Sequence, residues 1–169
     1  MLNAILAAFL LLLLGDFGAT FAYHVPEHVF GRFHSIVHHS PNRSFVRYAW
    51  RHRKPIALVD GFMSAFPYLV FIPWLSQLSA PGVVLGLMLA ELHVIWRHQF
   101  GPNYRTPDGV QRFCRIICLT TPERHRQHHC NARAAYGDIF TFYGPPARLW
   151  LKLLMRIRKT WRQRRSGLV

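Results

Sequence analysis

The sequence predicts an all-α integral membrane protein: about three apolar transmembrane or re-entrant helices with a cytoplasmic histidine-rich helical cap. Three observations predict it. The apolar residues are bunched into three stretches of membrane-helix length. All 21 Lys and Arg lie at or after Arg32, and apart from Arg97, which closes the third stretch, they avoid the later two. Ten of the 11 histidines fall into four groups near the ends of those stretches. A chain of 169 residues has room for one domain.

The first apolar element covers residues 1–23. Its sequence MLNAILAAFLLLLLGDFGATFAY carries one charge, Asp16. A bilayer takes about 20 apolar residues to span, and this run is long enough. It reads as a retained membrane helix rather than a cleaved signal, because no basic segment precedes it and no small-residue cleavage site follows. The second element covers residues 56–78, with Asp60 as its one charge, and the third covers residues 80–97, with Glu91 as the one charge before its closing Arg97. Between them, LSQLSAP has no Lys or Arg. If the first helix runs inward, the second outward and the third inward, every Lys and Arg falls on one side. The positive-inside rule makes that side cytoplasmic, which corresponds to the endoplasmic reticulum in a eukaryote or the inner membrane in a bacterium.

Residues 24–55 and 98–145 make the expected cap. Cys114, Cys118 and Cys130 fall in it, where thiols stay reduced. They read as small buried hydrophobes, because their spacing is not that of a thiolate metal site. Residues 146–169 form a basic amphipathic tail. Leu149, Leu153, Ile157 and Trp161 repeat at helical period against Arg148, Lys152, Arg156 and Lys159. Such a helix lies among anionic lipid headgroups. Nucleic acid is excluded as the partner, because no recognition motif accompanies the charge.

The histidines carry the chemistry. His125, His128 and His129 have the i, i+3, i+4 spacing of one helical face. His24 and His28 are i and i+4, as are His34 and His38, with His39 adjacent. His93 and His98 flank the end of the third apolar element. His52, in the run RYAWRHRKP, reads as solvated. Arginines crowd these groups, so clustered imidazolium would be strained by repulsion, and neutral, metal-bound imidazole removes the strain. Seven acidic residues are too few for a carboxylate-rich di-iron bundle. No H-E-x-x-H occurs. Eight or more imidazoles suit a borderline metal such as Fe or Zn.

The layout resembles the membrane di-iron fatty acid hydroxylase/sterol desaturase superfamily, with boxes of the kind H-x(3–4)-H, H-x(2–3)-H-H and H-x-x-H-H. The stretch DFGATFAYHVPEHVFGRFHSIVHHSPNRSFVRYAWRHRKP is similar to its first half, and TPERHRQHH with Tyr136–Gly137 to its last box. HVIWRHQ and FTFYGPP look more like the compact β-carotene hydroxylase branch. The likeness runs from Asp16 to Pro146. It implies two irons, O2 as co-substrate, and oxidation of a C–H bond of a membrane lipid (fatty acyl, sterol or carotenoid). It also implies a separate electron donor such as cytochrome b5 or ferredoxin. The ligands it implies are His24, His28, His38, His39, His98, His125, His128 and His129, with His34 and His93 as further candidates.

Three departures set expectations for the structure. Pro26 stands between His24 and His28 and predicts a break in that helix. The second box is one residue longer than H-x-x-H-H, so His34 faces the site only if a π turn absorbs the extra residue. Ala135 stands where the pattern has asparagine. Glu27, Glu91 and Glu123 precede box histidines and are candidates to orient them. Asp16, a carboxylate inside an apolar helix, is expected to serve the site. The rival class is a non-enzymatic membrane metal-binding or metal-transport protein. Transporters place ionisable groups within the spans, whereas here they gather at one end. A di-haem membrane protein fits poorly, because its axial histidines face each other within the span.

Overall fold

The computed structural model describes residues 1–31, 34–39, 44–99, 101, 103–131 and 133–167. Ser40, Pro41 and Asn42 of the second box lie outside the described residues. The described chain is helical, with one isolated bridge between Leu119 and Phe140. Helix α1 (Leu2–Gly18) runs through a π-helical turn (Ala19–His24) directly into α2 (Val25–Phe30). A second π-helical turn covers His34–His38. The remaining helices are α3 (Phe45–His52), α4 (Ile56–Val70), α5 (Ile72–Arg97), α6 (Asp108–Ile116), α7 (Pro122–Cys130), a 3-10 turn (Thr141–Tyr143) and α8 (Gly144–Ser166).

Two helices are long and apolar enough to cross a membrane: Leu2–Phe30, with 29 residues, and Ile72–Arg97, with 26. Only 39 % and 22 % of their apolar windows are buried in the protein, so most of each apolar window faces outward. Their outward faces carry Ile5, Leu6, Phe9, Phe17, Val84, Met88, Leu92 and Ile95, all exposed. An apolar surface this continuous marks contact with lipid or protein. The first helix therefore extends past the expected residue 23, through the first box to Phe30.

The second apolar element differs from expectation. It is not one helix over 56–78. Helix α4 stops at Val70, Phe71 interrupts it, and the rest joins the start of α5. The 15 residues of α4 reach about 22 Å, short of a hydrocarbon core of roughly 30 Å. Within α5 the backbone is extended at Ser79 (φ −168°, ψ 108°), two residues before Pro81. The break thus falls inside LSQLSAP, where the sequence places the turn.

Small residues set the helix packing. A Cβ on Gly82 would strike the backbone of Ala4, and one on Gly86 would lie 3.1 Å from Ala8 Cα. Glycines four apart let α5 press closely on α1, a mode common between apolar helices. The register Ala4–Gly82 and Ala8–Gly86 makes the two helices parallel. Helix α4 runs the other way, with Tyr68 and Pro67 against Gly15 and Gly18, and the Asp60 carbonyl accepting from Tyr23 Oη at 2.9 Å. This up-and-down arrangement brings His24, His28, His98 and the α7 histidines to one end. There Val25, Val29, Tyr136, Ala147, Leu151 and Leu154 form a buried cluster between α2 and α8. Trp150 Nε1 donates to the Phe21 carbonyl at 3.0 Å and fastens α8 to the first π turn.

Candidate metal centre

The two π turns aim the first two boxes. Pro26 does not break the helix. It sits in the first turn of α2, immediately after the π turn, where a missing N–H is tolerated. His24 and His28 consequently share a face, their rings stacked with centroids 5.1 Å apart. In the second box the π turn absorbs the extra residue. It brings His34 to the same group as His39, five residues on, and turns His38 the other way. Helix α7 starts on Thr121, whose side chain accepts from the Arg124 amide at 3.4 Å, with Pro122 in its first turn. It then presents His125, His128 and His129.

Nine histidines converge in two adjoining groups. The first is His24, His28, His34, His39 and His128; the second is His38, His98, His125 and His129. Within each group the ligand nitrogens lie within 4.8 Å of one another. The groups touch through His34–His38 and His39–His129, both with ring centroids 4.8 Å apart. Each contiguous His-His pair is divided, one residue to each group, because neighbours on a helix point about a quarter-turn or more apart.

The ring nitrogens show what the groups are built to hold. His24 Nδ1 donates to Asp138 Oδ1 at 3.2 Å, and His128 Nδ1 donates to the Ala134 carbonyl at 2.8 Å. In neutral rings this leaves lone pairs on both Nε2 atoms, which face each other at 2.8 Å. His28 Nε2 adds a third atom, 3.0 Å from His128 Nε2. In the second group His98 Nδ1 donates to the Val94 carbonyl at 2.7 Å, and its Nε2 faces His125 Nε2 at 3.0 Å. His129 Nε2 lies 3.1 Å from His125 Nε2. Converging lone pairs repel unless a cation sits among them. Both ring nitrogens of His34 and Nε2 of His39 are buried without a hydrogen-bond partner among the described residues, which coordination would satisfy. Burial, reinforced by the neighbouring imidazoles, holds His34 and His38 well below the usual histidine range, and burial followed by His24 does the same to His128. These three rings are therefore kept neutral, the form that binds metal.

The orienting carboxylate is one the sequence reading missed. Asp138 accepts from His24 and forms an ion pair with Arg97, whose Nη1 lies 3.1 Å from Asp138 Oδ1. Burial opposes its charge, but Arg97 and His24 outweigh burial and hold the carboxyl well below its usual range. Asp16 holds the loop that carries it. The Asp16 carboxylate accepts from three consecutive amides, Asp138 at 3.0 Å, Ile139 at 3.0 Å and Phe140 at 2.6 Å. Asp16 therefore serves the site at one remove, through Asp138. The same loop turns at Gly137 (φ 97°), where a Cβ would strike the Phe140 carbonyl. Its one advance signal is an acid directly after Tyr136–Gly137.

The other expected orienting groups go elsewhere. Glu123 accepts from the Thr106 amide at 2.7 Å and the Thr106 hydroxyl at 3.1 Å, so it anchors the loop before α6. Glu27 lies beside Asp60 of α4. Glu91 lines a cavity. His93 joins neither group. It lies on α5 with Nε2 donating to the Thr120 carbonyl at 2.9 Å. The i+5 spacing from His93 to His98 puts the two on different faces of a regular helix. His52 stacks on Tyr48, away from both groups. The free cysteines enter neither group.

A cavity of about 530 Å³ adjoins the histidines. Ser64, Tyr68 and Leu69 of α4 and Leu87, Glu91 and Val94 of α5 form its sides, and it reaches His24, His34, His38 and His98.

The sequence model of the family described as fatty acid hydroxylase matches residues 8–144. The chain belongs to the fatty acid hydroxylase family. All nine clustered histidines fall within the match, as do Asp16 and Asp138. Nearly all of α8 lies beyond it. No curated protein and no solved structure shows a significant similarity to the chain.

Proposed function

We propose that this member of the fatty acid hydroxylase family is an iron-dependent, O2-using membrane oxidoreductase that hydroxylates or desaturates a C–H bond of a lipid. The observation that carries the reading is the pair of adjoining histidine groups with converging Nε2 atoms at the end of a largely apolar cavity. His24, His28, His34, His39 and His128 would hold one iron, and His38, His98, His125 and His129 the other. Zinc suits imidazole equally but has no redox chemistry. Iron held there would activate O2, which supplies the oxidising power that an inert C–H bond requires.

The chain supplies orientation and exclusion of water. Asp138, Ala134 and Val94 fix the rings of His24, His128 and His98, leaving Nε2 of each as the atom that would hold a metal. The cavity between α4 and α5 takes a fatty acyl, sterol or carotenoid chain from the bilayer and brings it to the histidines. On this reading α1–α2 and α5 span the membrane, α4 completes the bundle as a short or re-entrant helix, and the histidine end is cytoplasmic. Hydroxylation consumes one O2, two electrons and two protons and leaves alcohol and water. The electrons come from a separate carrier such as cytochrome b5 or ferredoxin.

The test combines metal analysis of protein made with iron supplied and mass comparison of membrane lipids with and without expression. About two irons per chain and a lipid gaining one oxygen, or losing two hydrogens, are expected. Metal-loaded protein that leaves every lipid unchanged when a reductant and carrier are supplied would make the chain a metal-binding protein instead.

A further inference from the structure

A second pocket, of about 320 Å³, lies between the end of α2 and α8. Its rim carries Arg133 from the loop after α7, and Arg158, Lys159 and Arg162 from α8. Its floor is apolar: Val29, Leu151 and Met155. His28, of the first histidine group, forms one wall. No carboxylate lines it, and none of the four cations makes an ion pair among the described residues.

We propose that this pocket binds the phosphate headgroup of an anionic membrane phospholipid. Four like charges gathered on one cavity repel one another, and an anion offsets that repulsion. One of the cations is held in place: Arg158 Nη1 donates to the Val29 carbonyl at the end of α2. The backbone of Arg133 is fixed by its amide, which donates to Asn131 Oδ1 at 3.0 Å, and its side chain stays free to turn to an anion. Guanidinium groups match phosphate oxygens two at a time. A free anion gains nothing from the apolar floor, whereas a phospholipid lays its glycerol and first methylenes along Val29, Leu151 and Met155. Helix α8 also puts the pocket at headgroup depth. Leu149, Leu153, Ile157 and Trp161 are exposed on its outward face, and the Arg165 guanidinium sits 4.2 Å over the Trp161 ring. An apolar stripe with an aromatic anchor beside a basic face belongs in the interface plane.

The test is lipid retention by the purified full chain in native mass spectrometry, titrated separately with phosphatidylglycerol, phosphatidylcholine and inorganic phosphate. It needs neither bound metal nor turnover, so it succeeds or fails independently of the oxidoreductase reading. The wild-type chain should hold one phosphatidylglycerol in clear preference to phosphatidylcholine. The double variant Arg133→Gln/Arg162→Gln should lose that retention by roughly tenfold or more, since each basic group near an anionic headgroup contributes measurably. The charge-matched variant Arg156→Gln/Arg164→Gln, outside the pocket, should keep it. Lys159→Glu, which puts a carboxylate on an exposed rim position, should repeat the loss. Equal losses in the pocket and control variants would overturn the site in favour of diffuse attraction. Retention of inorganic phosphate without lipid preference would overturn the lipid.

Discussion

In the first histidine group, His24 passes its Nδ1 proton toward Asp138, a carboxylate drawn from 114 residues away and clamped by Arg97 and by the loop on Asp16. In the second group, His98 turns its Nδ1 onto the carbonyl of Val94, one turn back on its own helix. The second brace needs only a helix. The first needs the tertiary fold, because α1, α5 and the loop after α7 must all be in place. A carboxylate behind an imidazole makes it a better ligand than a carbonyl does. The first group, with five imidazoles against four, should therefore hold metal more tightly, and chelation should empty the second group first.

The largest effect should come from His128→Ala. Its Nε2 lies closest to two partners at once, 2.8 Å from His24 and 3.0 Å from His28, and its Nδ1 ties α7 to the loop at Ala134. Metal content should fall by about one ion per chain and lipid oxidation should drop to background, with helicity by circular dichroism retained. His98→Ala should remove the other ion and leave the first group loaded. A variant of either residue that empties both groups, or neither, would break the division between them.

Asp138→Asn should sharpen the comparison. The amide still accepts from His24 but carries no charge, so the first group alone should weaken, by roughly 10–100-fold in metal affinity. Competition with a graded series of chelators reads this out. Equal weakening of both groups would mean that Asp138 acts through the fold and not through His24.

Much of this was legible in the sequence because helical spacing fixes faces. The i, i+4 pairs His24–His28 and His125–His129 fall in common groups as the spacing requires, whereas His34–His38, also i, i+4, and His125–His128, i, i+3, are divided between the two groups. What spacing does not fix is which face meets which. Asp138 braces His24 across 114 residues, and nothing local announces it. His34 reaches the site only through its π turn, which the extra residue made necessary but did not guarantee. The close approach of Gly82 to Ala4 and of Gly86 to Ala8 was not read from the sequence, because spacing along one helix does not name the helix that packs on it. The break at Phe71 escaped the apolar run because hydropathy is blind to backbone direction.

His93 tests the same lesson from the other side. It is a box histidine by sequence but lies outside both groups, bonded to the Thr120 carbonyl. His93→Ala should leave metal stoichiometry unchanged. It should cost about 1 kcal/mol of stability, the worth of one lost hydrogen bond. Loss of an ion from this variant would bring His93 back as a ligand.

The smallest effect should be a gain. Ala135 has φ 54°, in the left-handed region that costs a residue with a Cβ roughly 1–2 kcal/mol and that asparagine enters more readily. It lies between the Ala134 carbonyl that braces His128 and the buried Tyr136, whose ring centroid is 4.8 Å from that of His128. The strain therefore sits in the first group's own support, on the segment that also leads to Asp138. Ala135→Asn should relieve part of it and raise stability by up to about 1 kcal/mol, read as a higher thermal midpoint of the metal-free protein. Metal release from the first group should slow, while release from the second stays the same. If asparagine lowered the midpoint, or slowed release from both groups alike, the loop would not be the element that distinguishes them.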